Sequence, residues 1–187
     1  MTNIETASKF LDRKGIDPLK LNNFFPEYRL NSLSVAGYVS RHYPAYAGRI
    51  IRYLDGGRKY LPEPNTVIKQ TLYGAWRVKV PVAILVEGPF DAIALQLKNL
   101  PAVACQGTKL TGMQRIHLRR YFKYVLVVFD NDPTGIRAVD YVMQDLKDMH
   151  IKCSSLLVEE NMGAAEYLKQ YGVEPFVEAL QIFKNVI

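Results

Sequence analysis

Two short apolar runs, each ending in an acidic turn, constrain this chain more than any other feature of its sequence. The first run covers residues 82–86 and is followed by Glu87; the second covers residues 124–129 and is followed by Asp130 and Asp132. Short, continuous runs rich in β-branched residues are typical of buried strands in a parallel sheet. Open α/β sheets bind ligands outside the carboxyl ends of their strands. The pattern therefore predicts a binding site at that edge of an α/β domain.

From Pro81 onward the sequence alternates between strand-like and helix-like segments, which is the pattern of βαβ units. We predict a mainly parallel four-stranded sheet flanked by helices. The strands are expected at residues 82–86, 102–105, 124–129 and 152–158. The helices are expected at residues 91–97, 111–121, 134–149, 164–171 and 175–183.

The N-terminal part has a different texture. Helical spacing of apolar residues predicts a first helix over residues 5–14, with Gly15 as its stop. Scattered aromatics, short apolar groups and frequent turn residues between residues 22 and 60 predict short strands. We therefore expect a small, mixed α+β basic subdomain at residues 1–78, and an α/β domain with its C-terminal helices at residues 79–187.

Composition excludes several classes of protein. Lys and Arg outnumber Asp and Glu by 24 to 18, and this imbalance favours polyanionic partners. Two distant cysteines, Cys105 and Cys153, are too few for a zinc ribbon or finger, so no zinc is expected and buried thiols are predicted. Neither a signal peptide nor a membrane-spanning segment is recognisable, which predicts a cytoplasmic protein without a membrane partner.

The acidic turns suggest metal chemistry. Glu87 and Asp91 follow one strand and Asp130 and Asp132 follow another, so four carboxylates meet at one edge and repel one another unless a cation neutralises them. Mg²⁺ prefers such oxygen ligands. An alternative for Asp91 is a favourable position at a helix N-terminus, and an alternative for residues 130–133 is a capped surface turn.

The two acidic motifs together resemble the toprim domain, which is shared by primases, type IA and type II topoisomerases and several nucleases. The motifs are Glu87-Gly88-x-x-Asp91 and Asp130-x-Asp132-x-x-Gly135, and residues 129–138 are most similar to primases of the DnaG type and to phage primase-helicases. Residues 107–114 resemble the segment between these motifs in primases. Residues 59–62 and 69–74 resemble the basic subdomain that precedes toprim in the primase polymerase core, and residues 7–16 resemble that core's opening helix.

The resemblance implies a primase-like protein of DNA replication, from a phage or mobile element, that makes RNA primers by Mg²⁺-dependent nucleotidyl transfer. It implies that Mg²⁺, or alternatively Mn²⁺, is held by Glu87, Asp130 and Asp132, with supporting roles for Gly88, Asp91 and Gly135. The expected partners are single-stranded DNA, nucleoside triphosphates, and a replicative helicase or another replisome protein. Nucleic-acid or nucleotide contacts are predicted for four basic residues: Arg58, Lys59, Lys69 and Lys109.

One departure from the family pattern affects the number of metal ions. The family carries a third acidic cluster of the type Asp-Pro-Asp-Glu, and here Gly163 and Ala165 replace its aspartates while Glu166 remains. Glu159 and Glu160 are candidate substitutes. One metal ion is therefore expected rather than two.

Two other functions remain open. A toprim nuclease that uses the same carboxylates to activate water is one alternative, and the primase-like basic motifs argue against it. The other is a non-catalytic nucleic-acid-binding or replisome-adaptor protein. Gly163 and the unrecognised zinc-binding and helicase portions favour the adaptor, whereas the retained acidic cluster argues against it.

Overall fold

The computed structural model describes residues 7–24 and 70–183, together with the backbone of four short strands between them. Two helices come first, α1 (Ala7–Arg13) and α2 (Pro18–Phe24). The four strands pair antiparallel in the order β1-β2-β3-β4. They are β1 (Arg29–Leu30), β2 (Ser34–Tyr38), β3 (Arg49–Tyr53) and β4 (Tyr60–Pro62).

The second sheet is four-stranded and entirely parallel, with the order β6-β5-β7-β8. Its strands are β5 (Val82–Val86), β6 (Ala102–Ala104), β7 (Tyr124–Val127) and β8 (Lys152–Ser155). The predicted α/β fold class is thereby confirmed. The predictions for β7 and β8 extended two or three residues too far, although the amide of Val128 still donates to Leu85 O at 2.9 Å.

Helices cover both faces of the parallel sheet. They are α3 (Pro89–Gln96), α4 (Gly112–Tyr121), α5 (Pro133–Asp148), α6 (Ala164–Tyr171) and α7 (Glu174–Gln181). Alternate side chains of a strand point to opposite faces. Ile84 accordingly packs in one core with residues of α1, α3, α6 and α7, and Leu85 packs in the other with residues of α4 and α5.

The prolines explain why α3 and α5 begin earlier than predicted. Pro89 and Pro133 each occupy the first helical turn, where the missing amide hydrogen costs nothing and the fixed φ angle suits the helix. The helices α3 and α5 therefore begin two residues and one residue before their predicted starts. Each of these two helices begins directly after the acidic turn at the end of the preceding strand.

Helix α1 packs into the core of the parallel-sheet domain. Phe10 and Leu11 are fully buried, and the Phe10 ring meets the Phe90 ring edge-on at a centroid distance of 4.9 Å. At its outer side the Lys169 ammonium of α6 donates to Asp12 O at 2.6 Å. Helix α1 is thus held against α3 and α6, although the predicted boundary assigns it to the N-terminal subdomain. That boundary, between residues 78 and 79, stays a prediction.

No helix in the described part of the chain is both long enough and apolar enough to cross a bilayer.

Candidate active site

A cavity of about 470 Å³ opens at the carboxyl ends of β5 and β7. The chain leaves β5 for β6 on one side and reaches β7 on the other, so the cavity lies at the point where the strand order reverses, as expected for ligand sites in open sheets. Seven of the residues that line it are charged. The charged residues that line it are Arg13, Lys14, Glu87, Asp91, Asp130, Asp132 and Glu166.

Glu87 and Asp130 form the central pair of this cavity. Each directly follows its apolar segment, and the amide of Asp130 donates to Glu87 Oε1 at 3.3 Å. Burial, followed by the negative charge of Asp130, raises the pKa of Glu87 to about 7. Burial, followed by the charge of Asp91, raises the pKa of Asp130 to about 6. Burial and the neighbouring carboxylates therefore favour the neutral form of both groups, although the Lys14 charge partly offsets this at Asp130.

Gly135 lets helix α5 come close to this pair. A Cβ atom at this position would lie 2.0 Å from Asp130 O and 3.0 Å from Glu87 Oε1. The first distance is to a backbone atom, which cannot move aside without moving the turn. Any larger residue would therefore force α5 away from the two carboxylates.

Asp132 caps helix α5. Its Oδ1 accepts the amides of Thr134 and Gly135, each at 2.8 Å, and its side chain is exposed at the rim of the cavity. The capped turn was the alternative interpretation of this segment, and the structure shows that cap. Asp132 also lines the same cavity as Glu87 and Asp130. Its cap of α5 therefore does not decide whether it binds metal, and that role stays a prediction.

Asp91 does not act as a helix cap. Gly88 occupies the cap position of α3, and Asp91 lies in the first turn of that helix, 5% exposed, with Oδ1 facing helix α6. The favourable position of Asp91 at a helix N-terminus, the alternative drawn from the sequence, is thus present. Oδ1 of Asp91 accepts the Lys14 ammonium at 2.8 Å and the Ala165 amide at 3.2 Å. A Cβ at Gly88 would lie 2.6 Å from Asp91 Oδ2. Asp91 therefore links α3 to α1 and α6 at the cavity wall.

Lys14 is a site residue that sequence reasoning missed. Its ammonium lies between two carboxylates, 2.8 Å from Asp91 Oδ1 and 3.0 Å from Glu166 Oε2, and its side chain is only 12% exposed. Burial acts to lower the pKa of Lys14, but the attraction of Asp91 and Glu166 outweighs it and raises the pKa above its usual value. The only sequence signal was its place in the primase-like opening helix.

The remnant of the third acidic cluster also faces the cavity. Glu166 accepts Arg13 Nη1 on Oε1 at 2.8 Å as well as Lys14 on Oε2. A Cβ at Gly163 would lie 2.6 Å from Asp130 Oδ1 and 3.1 Å from Glu166 Oε2, so glycine lets the start of α6 approach Asp130. Glu159 and Glu160, the candidate substitutes, are exposed and lie outside the cavity wall; Glu159 accepts the Tyr171 hydroxyl.

The structure describes only one of the four basic residues predicted to contact nucleic acid or nucleotide. Arg58, Lys59 and Lys69 lie outside the described residues. Lys109 is exposed in the loop that joins β6 to α4, beyond the residues that line the cavity.

Two neighbouring residues in that loop, Gln106 and Gly107, do line the cavity. Neither was predicted to be a site residue, although Gly107 begins the segment that resembles primases. Gln106 adopts a left-handed backbone conformation with φ 61°. Gln114 anchors the loop, because its buried Nε2 donates to Thr71 O at 2.9 Å and to Cys105 O at 2.7 Å. The segment that resembles primases is thus fixed at the edge of the site.

The donor set of the cavity consists of carboxylate oxygens, which suits a hard divalent ion. Within residues 7–24 and 70–183, no three His, Cys, Asp or Glu side chains are arranged to hold a metal by themselves. Mg²⁺ usually takes one or two carboxylates and completes its shell with water and substrate phosphates. The pair Glu87 and Asp130, whose pKa values are raised by burial and by neighbouring carboxylates, fits that requirement.

Comparison with known proteins identifies the family of the domain. The family described as Toprim-like matches residues 84–168, which include both acidic turns and Glu166. The DNA primase of Enterococcus faecalis is 31% identical over 146 residues, which are 71% of this chain. The chain spans only 23% of the length of that relative.

Solved structures of primases share the fold. The zinc-binding and RNA polymerase domains of the Aquifex aeolicus primase superpose with a TM-score of 0.73 and 21% identity, covering 94% of this chain and 55% of theirs. The catalytic domain of a DnaG primase bound to single-stranded DNA gives a TM-score of 0.67 and 21% identity, covering 94% of this chain and 64% of its own. The architecture of a primase catalytic core therefore extends over nearly the whole chain.

Proposed function

Since this chain carries a toprim-like domain and is related to bacterial DNA primases, we propose that it catalyses Mg²⁺-dependent nucleotidyl transfer to make RNA primers on single-stranded DNA. The single observation that supports this most is the pairing of Glu87 and Asp130 at the reversal of strand order. Both carboxylates have raised pKa values, and strongly shifted pKa values cluster at functional sites.

In this proposal Glu87 and Asp130 hold one Mg²⁺ or Mn²⁺ ion, with Asp132 contributing from the rim. Such an ion would neutralise charge on the transferring phosphates and on the leaving pyrophosphate. Gly88 and Gly135 contribute by allowing the backbone to approach the carboxylates. Asp91 contributes by fixing α3 against α1 and α6.

The cavity has the size for a nucleotide's phosphates, and the proposed ion would offset the excess of carboxylates over cations on its wall. Its volume of about 470 Å³ lies within the range of small-molecule sites. Arg13 and Lys14 are held in ion pairs on the wall nearest α6. We therefore assign the phosphate contacts of nucleotide and template to Arg58, Lys59, Lys69 and Lys109. The DnaG catalytic domain cited above was solved with single-stranded DNA, which supports that template for this chain. A helicase or other replisome protein is the proposed partner.

The test is a primer-synthesis assay on single-stranded DNA with ribonucleotides and Mg²⁺ or Mn²⁺. We expect short RNA products from the wild type, and a loss of at least about 100-fold in Glu87→Gln and Asp130→Asn, because each removes one charge from the ion's site. Glu178→Gln, an exposed position on α7, is the matched control and is expected to keep full activity.

Three results would contradict the proposal. RNA products that persist in both variants would remove these carboxylates from the reaction. Cleavage of the template without RNA products would identify a toprim nuclease. Binding of DNA without any product, and without any effect of metal, would identify an adaptor that has retained the fold.

A further inference from the structure

The ammonium of Lys14 occupies a position between two acidic side chains of the cavity. It bonds Asp91 Oδ1 at 2.8 Å and Glu166 Oε2 at 3.0 Å, and these carboxylates belong to the start of α3 and the start of α6. A cation bridging two carboxylates from different elements performs the charge neutralisation that a metal ion would otherwise supply. We propose that Lys14 serves as a built-in cation here, so that this chain binds one divalent ion and not two.

The neighbouring contacts leave little room for a metal at this position. Asp91 Oδ1 also accepts the Ala165 amide at 3.2 Å, and Glu166 Oε1 is taken by Arg13 at 2.8 Å. Three of the four oxygens of the two carboxylates are therefore already bonded. A metal ion would have to expel an ammonium whose side chain is only 12% exposed.

The backbone that carries Lys14 is also fixed. It directly follows α1, and its amide donates to Phe10 O at 3.1 Å. Phe10 is buried against Phe90 of α3, the helix that carries Asp91. The ammonium can therefore withdraw only by rotation of the Lys14 side chain out of its buried position, with the loss of both ion pairs.

The residues at the start of α6 carry few oxygen atoms that could bind a metal ion. Gly163 and Ala165 offer no side-chain oxygens, so α6 provides the cavity with one carboxylate, Glu166. Gly163 also admits the Asp130 carboxylate to within 2.6 Å of where a Cβ would lie. The cavity thus has a metal position at Glu87 and Asp130, and a separate position at Asp91 and Glu166 that the protein fills itself.

This inference rests on the proposed metal site at Glu87 and Asp130. The number of bound ions tests that site and the role of Lys14 separately. The experiment titrates the metal-free protein with Mn²⁺ and counts bound ions by calorimetry and by the paramagnetic resonance signal of free Mn²⁺. We expect one ion per chain in the wild type and two in Lys14→Met. The second ion is expected to vanish in Lys14→Met/Glu166→Gln.

Two controls distinguish a cation role from a structural one. Lys14→Arg keeps the charge and is expected to bind one ion. Lys169→Met removes another ammonium that joins α6 to α1, through Asp12, and is also expected to bind one ion. A second ion in Lys169→Met would show that loosening of α1 alone opens the position, and would overturn the proposal.

The remaining outcomes are equally decisive. Two ions in the wild type, or one ion in folded Lys14→Met, would overturn the role of Lys14 while leaving the metal site intact. No ion in the wild type would overturn both. If Lys14→Met does not fold, the ammonium resonance of Lys14 in the wild type decides: persistence in saturating Mg²⁺ supports the proposal, and loss by exchange with solvent overturns it.

Discussion

The ammonium of Lys14 lies 2.8 Å from Asp91 Oδ1, across a separation of 77 residues in the chain. This ion pair joins the end of the first helix to the acidic turn that follows β5. The net stabilisation by a buried ion pair of this kind is small. Removal of one partner is nevertheless strongly destabilising, because the remaining charge is then buried without compensation.

We therefore predict that Lys14→Met lowers the free energy of unfolding by about 3 kcal/mol in metal-free buffer, measured by urea denaturation. The double variant Lys14→Met/Asp91→Asn is expected to recover part of that loss, since it removes the uncompensated charge. Lys169→Met, at a solvent-exposed pair with Asp12, is the control and should cost less than about 1 kcal/mol. Additive losses in the double variant would show that the two side chains are not coupled.

Gly163→Ala is predicted to weaken metal binding more than it weakens folding. The new Cβ would meet Asp130 Oδ1 at 2.6 Å, and a carboxylate at the end of a side chain can turn away at small cost. Turning it away removes it from Glu87, so we expect the affinity for Mn²⁺ to fall about 10-fold while the melting temperature changes little.

Gly112→Ala is the control for that substitution, because nothing lies within 4 Å of its Cβ position. Mn²⁺ affinity equal to wild type in Gly163→Ala would mean that the Asp130 carboxylate is not where the ion binds.

Asp132 can be tested for its two roles separately. Asn is as good a helix cap as Asp, so Asp132→Asn should keep the stability of α5, whereas Asp132→Ala should lose about 1 kcal/mol in urea denaturation. If Asp132 also contributes charge to the metal site, both variants weaken Mg²⁺ binding equally. Asp132→Asn with wild-type affinity would restrict this residue to capping.

The pH dependence of stability follows from Glu87. Its pKa in the folded, metal-free protein is about 7, raised from 4.5, so the folded state binds the proton more tightly than the unfolded chain does. The stability it contributes is complete below about pH 4.5 and is lost as the pH rises through about 7. Glu87→Gln keeps the neutral form at every pH.

In the presence of a chelator, we expect the melting temperature of Glu87→Gln to exceed that of the wild type by a few degrees at pH 8 and to match it at pH 4.5. Glu178→Gln should show no such pH-dependent difference. A variant less stable than the wild type at pH 8 would contradict the raised pKa.

The sequence predicted the elements that bring the acidic turns together. Continuous apolar runs indicated β5 and β7, the parallel sheet followed from their alternation with helices, and the carboxyl ends of these strands placed Glu87 beside Asp130. These features depend on local patterns, which a single sequence carries.

The rest of the site depends on contacts between distant segments. The bonds of Asp91 to Lys14 and to Ala165 span 77 and 74 residues, so no local pattern indicates them. The direction of the Asp132 side chain could not be predicted either. A helix cap and a metal ligand both require an acidic residue at this position, so the sequence does not distinguish them. Lys59 and Lys69 lie outside the described residues, and their part stays a prediction.

The position of the metal can be seen directly by anomalous diffraction from crystals of the protein soaked in Mn²⁺. We expect a single peak within bonding distance of the carboxylates of Glu87 and Asp130, with the Lys14 ammonium still between Asp91 and Glu166. A peak between Asp91 and Glu166, or none beside Glu87 and Asp130 at saturating Mn²⁺, would contradict this assignment of the site.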